Sequence, residues 1–125
     1  MIALDTNYLI RFFTNDIKSQ ALIAKRIIKE SKEIYIPTIT IAETVYFLRN
    51  YYQKDKELVC NELASFVKQS NIKTQDFVPF ALQIYKSENI SFYDSLLLGE
   101  ILEMSAQLKS FDKKLLKVFK KYSKN

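Results

Sequence analysis

The chain has 125 residues, 48% of them apolar, with nine Phe, eight Tyr and a formal net charge of +5. That is enough for one domain with a real core, and it excludes a disordered composition; the surplus of cations suits a polyanionic partner. With one Gly, two Pro, one Cys (Cys60) and no His, tight-turned all-β folds are disfavoured, and His general acid–base catalysis, His- or Cys-ligated zinc and internal disulfides are excluded.

Taken in order, Met1-Ile2-Ala3-Leu4 is an apolar run that stops at Asp5, and a new apolar pattern starts at Tyr8. This predicts a short buried strand ending in Asp5, placed centrally in the sheet, and a helix through Phe13. Ligands of open α/β sheets sit at the carboxyl ends of strands, so Asp5 is a candidate site residue. Asn15 and Asp16 can cap the next helix, where Ile17, Ala21, Ala24 and Ile28 keep a helical period. Ile34-Tyr35-Ile36 before Pro37 reads as a second strand. Helices follow from Thr38 to about residue 52 and, capped by Asp55, through Val67. Residues 71–74 are a third strand candidate. Residues 76–88 are helical, with Pro79 fitting only their first turn. Ser91 starts a helix to about residue 104, residues 108–111 are a fourth strand candidate, and Asp112 opens the last helix. Strands alternating with helices predict an α/β fold, a short parallel sheet of about four strands flanked by helices, with residues 1–125 as one domain. The N-terminus lacks the features of a signal peptide, and no apolar run reaches the ~20 residues of a membrane span. A cytoplasmic protein is expected.

Three helices carry an acid in line with their apolar stripe. Glu43 aligns with Ile39, Tyr46 and Phe47, Asp94 with Leu97, Leu98, Ile101 and Leu102, and Asp112 with Leu115, Leu116 and Phe119. A buried ionised carboxylate is costly unless it is paired or coordinates a metal. Each acid has a plainer reading. Asp5 and Asp112 can be helix N-caps, Asp94 can close a capping box with Ser91, and Glu43 can be a stripe-edge residue that reaches water. A shared explanation is a four-carboxylate site for Mg²⁺ or Mn²⁺, which prefer oxygen ligands. Such ions can activate water and stabilise the leaving oxygen in phosphodiester cleavage without any His.

At these residues the chain resembles the PIN-domain family and, within it, the compact VapC-type toxins. Leu4-Asp5-Thr6-Asn7, Ala42-Glu43, Tyr93-Asp94-Ser95-Leu96-Leu97 and Ser110-Phe111-Asp112-Lys113 match its motifs in order and spacing across essentially the whole chain. The resemblance implies a three-layer PIN-like α/β fold and a Mg²⁺- or Mn²⁺-dependent endoribonuclease that leaves a 3′-hydroxyl and a 5′-phosphate. It also implies a homodimer and inhibition by a small antitoxin encoded next door. Carried over, Asp5, Glu43, Asp94 and Asp112 match the acidic metal-binding and catalytic positions. Asn7 and Ser110 match the polar positions that support them, Ser110 standing for a commoner Thr, and Thr6 is a further candidate for that role. Two departures stand out. The turn Met104-Ser105-Ala106-Gln107 lacks the Gly often found there, and the tail from Tyr122 leaves little room for a final strand.

Lys109, Lys113, Lys114, Lys117, Lys120, Lys121 and Lys124 crowd the end of the chain. They can neutralise RNA phosphates without reading sequence or simply form a solvated helix face; Lys113, Lys114 and Arg11 are the candidates to grip RNA. The resulting reading is the ribonuclease toxin of a type II toxin–antitoxin system. The alternatives are a PIN nuclease of RNA maturation and a non-catalytic RNA- or protein-binding PIN module. The last would be marked by loss of one of the four acids.

Overall fold

The computed structural model describes residues 1–123. The chain divides into two compact units, Met1–Gln75 and Asp76–Asn125. Among the described residues the fold is helix-rich α/β, with seven helices and a short parallel sheet of three strands.

The N-terminal unit holds the sheet. Its elements are β1 (Ile2–Ala3), α1 (Thr6–Thr14), α2 (Lys18–Glu30), β2 (Ile34–Tyr35), α3 (Thr38–Asn50), α4 (Lys56–Val67) and β3 (Ile72–Lys73). The strands lie in the order β1-β2-β3, with Ile2 opposite Ile34 and Ile34 opposite Ile72. The strand leading to Asp5 is therefore an edge strand, not the central one expected, and β2 takes the centre. With only one neighbour, β1 leaves Ile2 41% exposed, and burial begins at Leu4. Leu9, Ile36, Ile41, Leu48, Val59 and Leu63 fill the interior, and Cys60 on α4 is buried with them.

Local chemistry explains the helix starts. Asp5 accepts from the Tyr8 N–H, and Asp55 accepts from the N–H groups of Glu57 and Leu58. Each such cap stabilises by about 1 kcal/mol. Asn15 and Asp16 do not cap α2; Ile17 stands at its N-cap position, without a side-chain bond. Asn15 instead closes α1 in the left-handed region, at φ 55°, a conformation Asn tolerates. On α3 the buried side is Thr40, Ile41, Thr44, Val45 and Leu48, while Ile39, Tyr46 and Phe47 are exposed. The apolar stripe that carries Glu43 thus faces water rather than the core, and Glu43 is exposed with it. Period alone could not separate two apolar sides of the same helix.

The C-terminal unit is α5 (Val78–Ser87), α6 (Phe92–Glu103) and α7 (Lys113–Tyr122) around Ile84, Leu98, Leu115 and Val118. Gly99, the only glycine, lets α6 lie close on α5: a Cβ there would stand 3.2 Å from both the Ala81 Cβ and the Phe77 carbonyl oxygen. Helix α6 ends with Ser105 left-handed at φ 55°, its N–H donating to Leu102 O and the Ala106 N–H to Ile101 O. This is the usual glycine-favouring helix stop, made here with Ser. Residues 108–111 form no strand. Leu108 packs against the helical core and Phe111 is fully exposed, so the described sheet has three strands rather than about four. Glu88 receives hydrogen bonds from Lys121 Nζ at 2.8 Å and the Tyr122 hydroxyl at 2.7 Å, which ties the end of α7 to the end of α5. Lys124 and the last residue of the tail lie outside the described residues.

Candidate active site

In the N-terminal unit the turn from β1 into α1 presents Asp5. Its Oδ1 accepts from the Tyr8 N–H at 3.0 Å. Two bonds fasten α3 to this turn: Thr6 Oγ1 donates to Glu43 Oε1 at 2.6 Å, and Thr40 Oγ1 donates to the Leu4 carbonyl at 3.2 Å. Glu43 is thereby held against the residue that follows Asp5. Thr6, the weaker support candidate by sequence, makes this link. Asn7 is exposed, and its side chain makes no hydrogen bond among the described residues.

In the C-terminal unit Asp94 lies in the first turn of α6, and its N–H donates to Ser91 Oγ at 3.0 Å. The reciprocal half of a capping box, from Asp94 to the Ser91 N–H, is not formed, so the carboxylate is uncommitted. Asp112 caps α7 by accepting from the Leu115 N–H at 3.0 Å. Ser110 Oγ accepts from the Asp112 N–H at 3.0 Å and holds the backbone of that cap.

The capping reading of Asp5 and Asp112 is therefore realised, and each keeps a second carboxylate oxygen. Two acids lie in each compact unit. Among the described residues no group of three or more His, Cys, Asp or Glu side chains could hold a metal ion; the converged four-carboxylate cluster expected is not present as a closed set. Three of the four acids sit at helix starts, and that role fixes their backbones first. Among the described residues none of the four is ion-paired with Lys or Arg. Carboxylate oxygens without a cationic partner are the donor type that Mg²⁺ and Mn²⁺ take, so the residues fit a divalent ion by donor chemistry.

Beside Asp5 is a pocket of about 430 Å³ lined by Asp5, Asn7, Tyr8, Arg11, Gln20 and Ile23. Arg11 is oriented there by two anchors. Its Nε donates to Gln20 Oε1 at 2.9 Å, and its Nη1 lies 3.6 Å from Asp16 Oδ1. Asp16 in turn accepts from the Tyr52 hydroxyl at 2.6 Å and from Thr14 Oγ1 at 2.8 Å. The Tyr52 hydrogen bond, then Thr14 and the Arg11 charge, lower the Asp16 pKa below its usual 3.8, and donating to Asp16 chiefly raises that of Tyr52. Sequence reasoning singled out Arg11 but not Tyr8, Gln20 or this anchoring chain. Tyr8 and Arg11 are three apart on one helix face, which was a legible signal; Gln20 joins them only because α1 packs on α2.

Lys113 and Lys114 are exposed on α7, which buries Leu115 and Val118. A family model, the PIN domain, matches residues 2–121. This chain belongs to the PIN domain family. PIN domains are generally metal-dependent nucleases, and the match runs through both compact units of this PIN domain. No curated protein matches the chain. Among the described residues no helix of this PIN domain is long and apolar enough to cross a membrane.

Proposed function

We propose that this PIN domain is a Mg²⁺- or Mn²⁺-dependent endoribonuclease, the toxin of a type II toxin–antitoxin pair. It acts in the cytoplasm as a homodimer and is held in check by a small antitoxin protein. The observation that carries this reading is the state of Asp5, Glu43, Asp94 and Asp112: all are ionisable oxygen donors without a Lys or Arg partner among the described residues, in a chain of net charge +5. Their carboxylates would supply oxygen donors to such an ion, which when bound would neutralise phosphate charge and activate water for hydrolysis. Thr6 fixes one oxygen of Glu43, and Ser110 fixes the backbone at Asp112. The helix-capping bonds of Asp5 and Asp112 orient one oxygen each and leave the other for the ion. Lys113 and Lys114 attract the RNA backbone.

The test is cleavage of structured RNA by the wild type and Asp94→Asn, with and without Mn²⁺. Cleavage should require metal and vanish in the variant. Since the Asp94 carboxylate accepts no capping bond, the variant should melt no lower than wild type, whereas Ser91→Ala, which removes a cap, should cost about 1 kcal/mol. Equal cutting by Asp94→Asn and wild type would sink the proposed site.

A further inference from the structure

The pocket beside Asp5 has a composition that catalysis by carboxylates does not require. Its volume, about 430 Å³, lies in the range of small-ligand sites. Its wall combines an aromatic ring, a guanidinium and two carboxamides: Tyr8, Arg11, Asn7 and Gln20. Tyr8 is 38% exposed at the pocket although it belongs to a helix with an apolar interior side. The Arg11 side chain is only 20% exposed. Gln20 from α2 and Asp16 from the turn before it fix its direction, and its Nη groups keep N–H donors. Gln20 gives its oxygen to Arg11 and keeps its NH₂ donors, and the Asn7 amide has no partner among the described residues.

Such a set recognises a nucleotide by parts. A ring takes a base face, a pinned guanidinium takes a phosphate, and carboxamides read a base edge. A base inside a duplex is covered on both faces; only an unstacked one can lie on a side-chain ring. We infer that this pocket is a nucleotide subsite beside Asp5, in which one unstacked base lies on Tyr8 and its phosphate is seated on Arg11. Asp16, Gln20 and, through Asp16, Tyr52 are positioning residues for that guanidinium. The inference rests on the nuclease reading for the role of the bound strand, but not for the binding itself.

The test is the affinity of a short fluorescently labelled oligoribonucleotide in EDTA, single-stranded or annealed to its complement. The wild type should bind the single strand more tightly than the duplex. Tyr8→Ala should weaken single-strand binding about tenfold, the scale of one base–aromatic stack, and Tyr8→Phe should restore it because it keeps the ring. Arg11→Lys should weaken binding several-fold, since an ammonium cannot form the fork on phosphate, and Tyr52→Phe should do so to a smaller extent. Wild-type affinity in Tyr8→Ala and Arg11→Lys would overturn the proposal and leave the pocket to a protein segment. Loss in Tyr8→Phe equal to that in Tyr8→Ala would also overturn it. The two readings fail separately: undiminished cutting by Asp94→Asn removes the nuclease site without touching EDTA binding, and undiminished binding by the pocket variants removes the subsite without touching cleavage.

Discussion

Asp16 shows at the scale of one residue how a carboxylate becomes architectural. Three neighbours favour its ionised form, the Tyr52 hydroxyl most, then Thr14 and the Arg11 charge. A folded pKa below the unfolded 3.8 means that the stabilisation is present above that pH and is lost as pH falls through the lower folded value. Tyr52→Phe should therefore melt below wild type near neutral pH, and the gap should close as pH drops below 3.8; a gap that stays constant through that window would show the bond to be idle. Asp16 looked like a helix cap in the sequence because Asp before a helical pattern usually is one. What the sequence could not show was Tyr52, 36 positions away, brought within reach by α3. Asp5 and Asp112 present the converse: their capping bonds were legible from local spacing. Whether they also bind a metal is a matter of what else converges on them, which local spacing does not report.

Among elements, the helices were legible because an apolar period of 3.6 registers directly in the chain. Strands of two residues carry almost no period. Residues 34–36 and 71–74 each include a strand, whereas 108–111, equally short, forms none among the described residues. The inside of α3 was misread because it is apolar on two sides, and only packing decides which one is covered. The contact of α5 with α6 is a sharper case. Gly99 reads as a weak point in a helix, yet it is where the two helices touch. Gly99→Val should destabilise the fold by about 1–3 kcal/mol, the usual cost of overpacking, measured by urea unfolding. Gly99→Ala should lose less, because its gain in helix propensity, about 1 kcal/mol, offsets part of the crowding. A valine variant as stable as wild type would mean that α5 yields freely.

For the molecule as a whole, the order and spacing of four short motifs were enough to point to the family, because spacing survives where geometry is unknown. The family match spans residues 2–121, while the acids fall two to each compact unit, a division invisible to motif spacing. The charge of +5 and the crowding of lysines toward the end of the chain were likewise legible, but not which of them is free: Lys121 is committed to Glu88. Cys60 has a use of another kind. It is the only thiol and is 2% exposed on α4, so a thiol-modifying reagent can reach it only when the N-terminal unit opens. Its labelling rate is a built-in clock for breathing of that unit, readable without any introduced probe. In native buffer the thiol should react orders of magnitude more slowly than a small free thiol and should reach that rate in strong urea; prompt labelling in buffer would reveal that α4 lifts away on its own, and a slower clock with bound RNA would mean that substrate closes the unit.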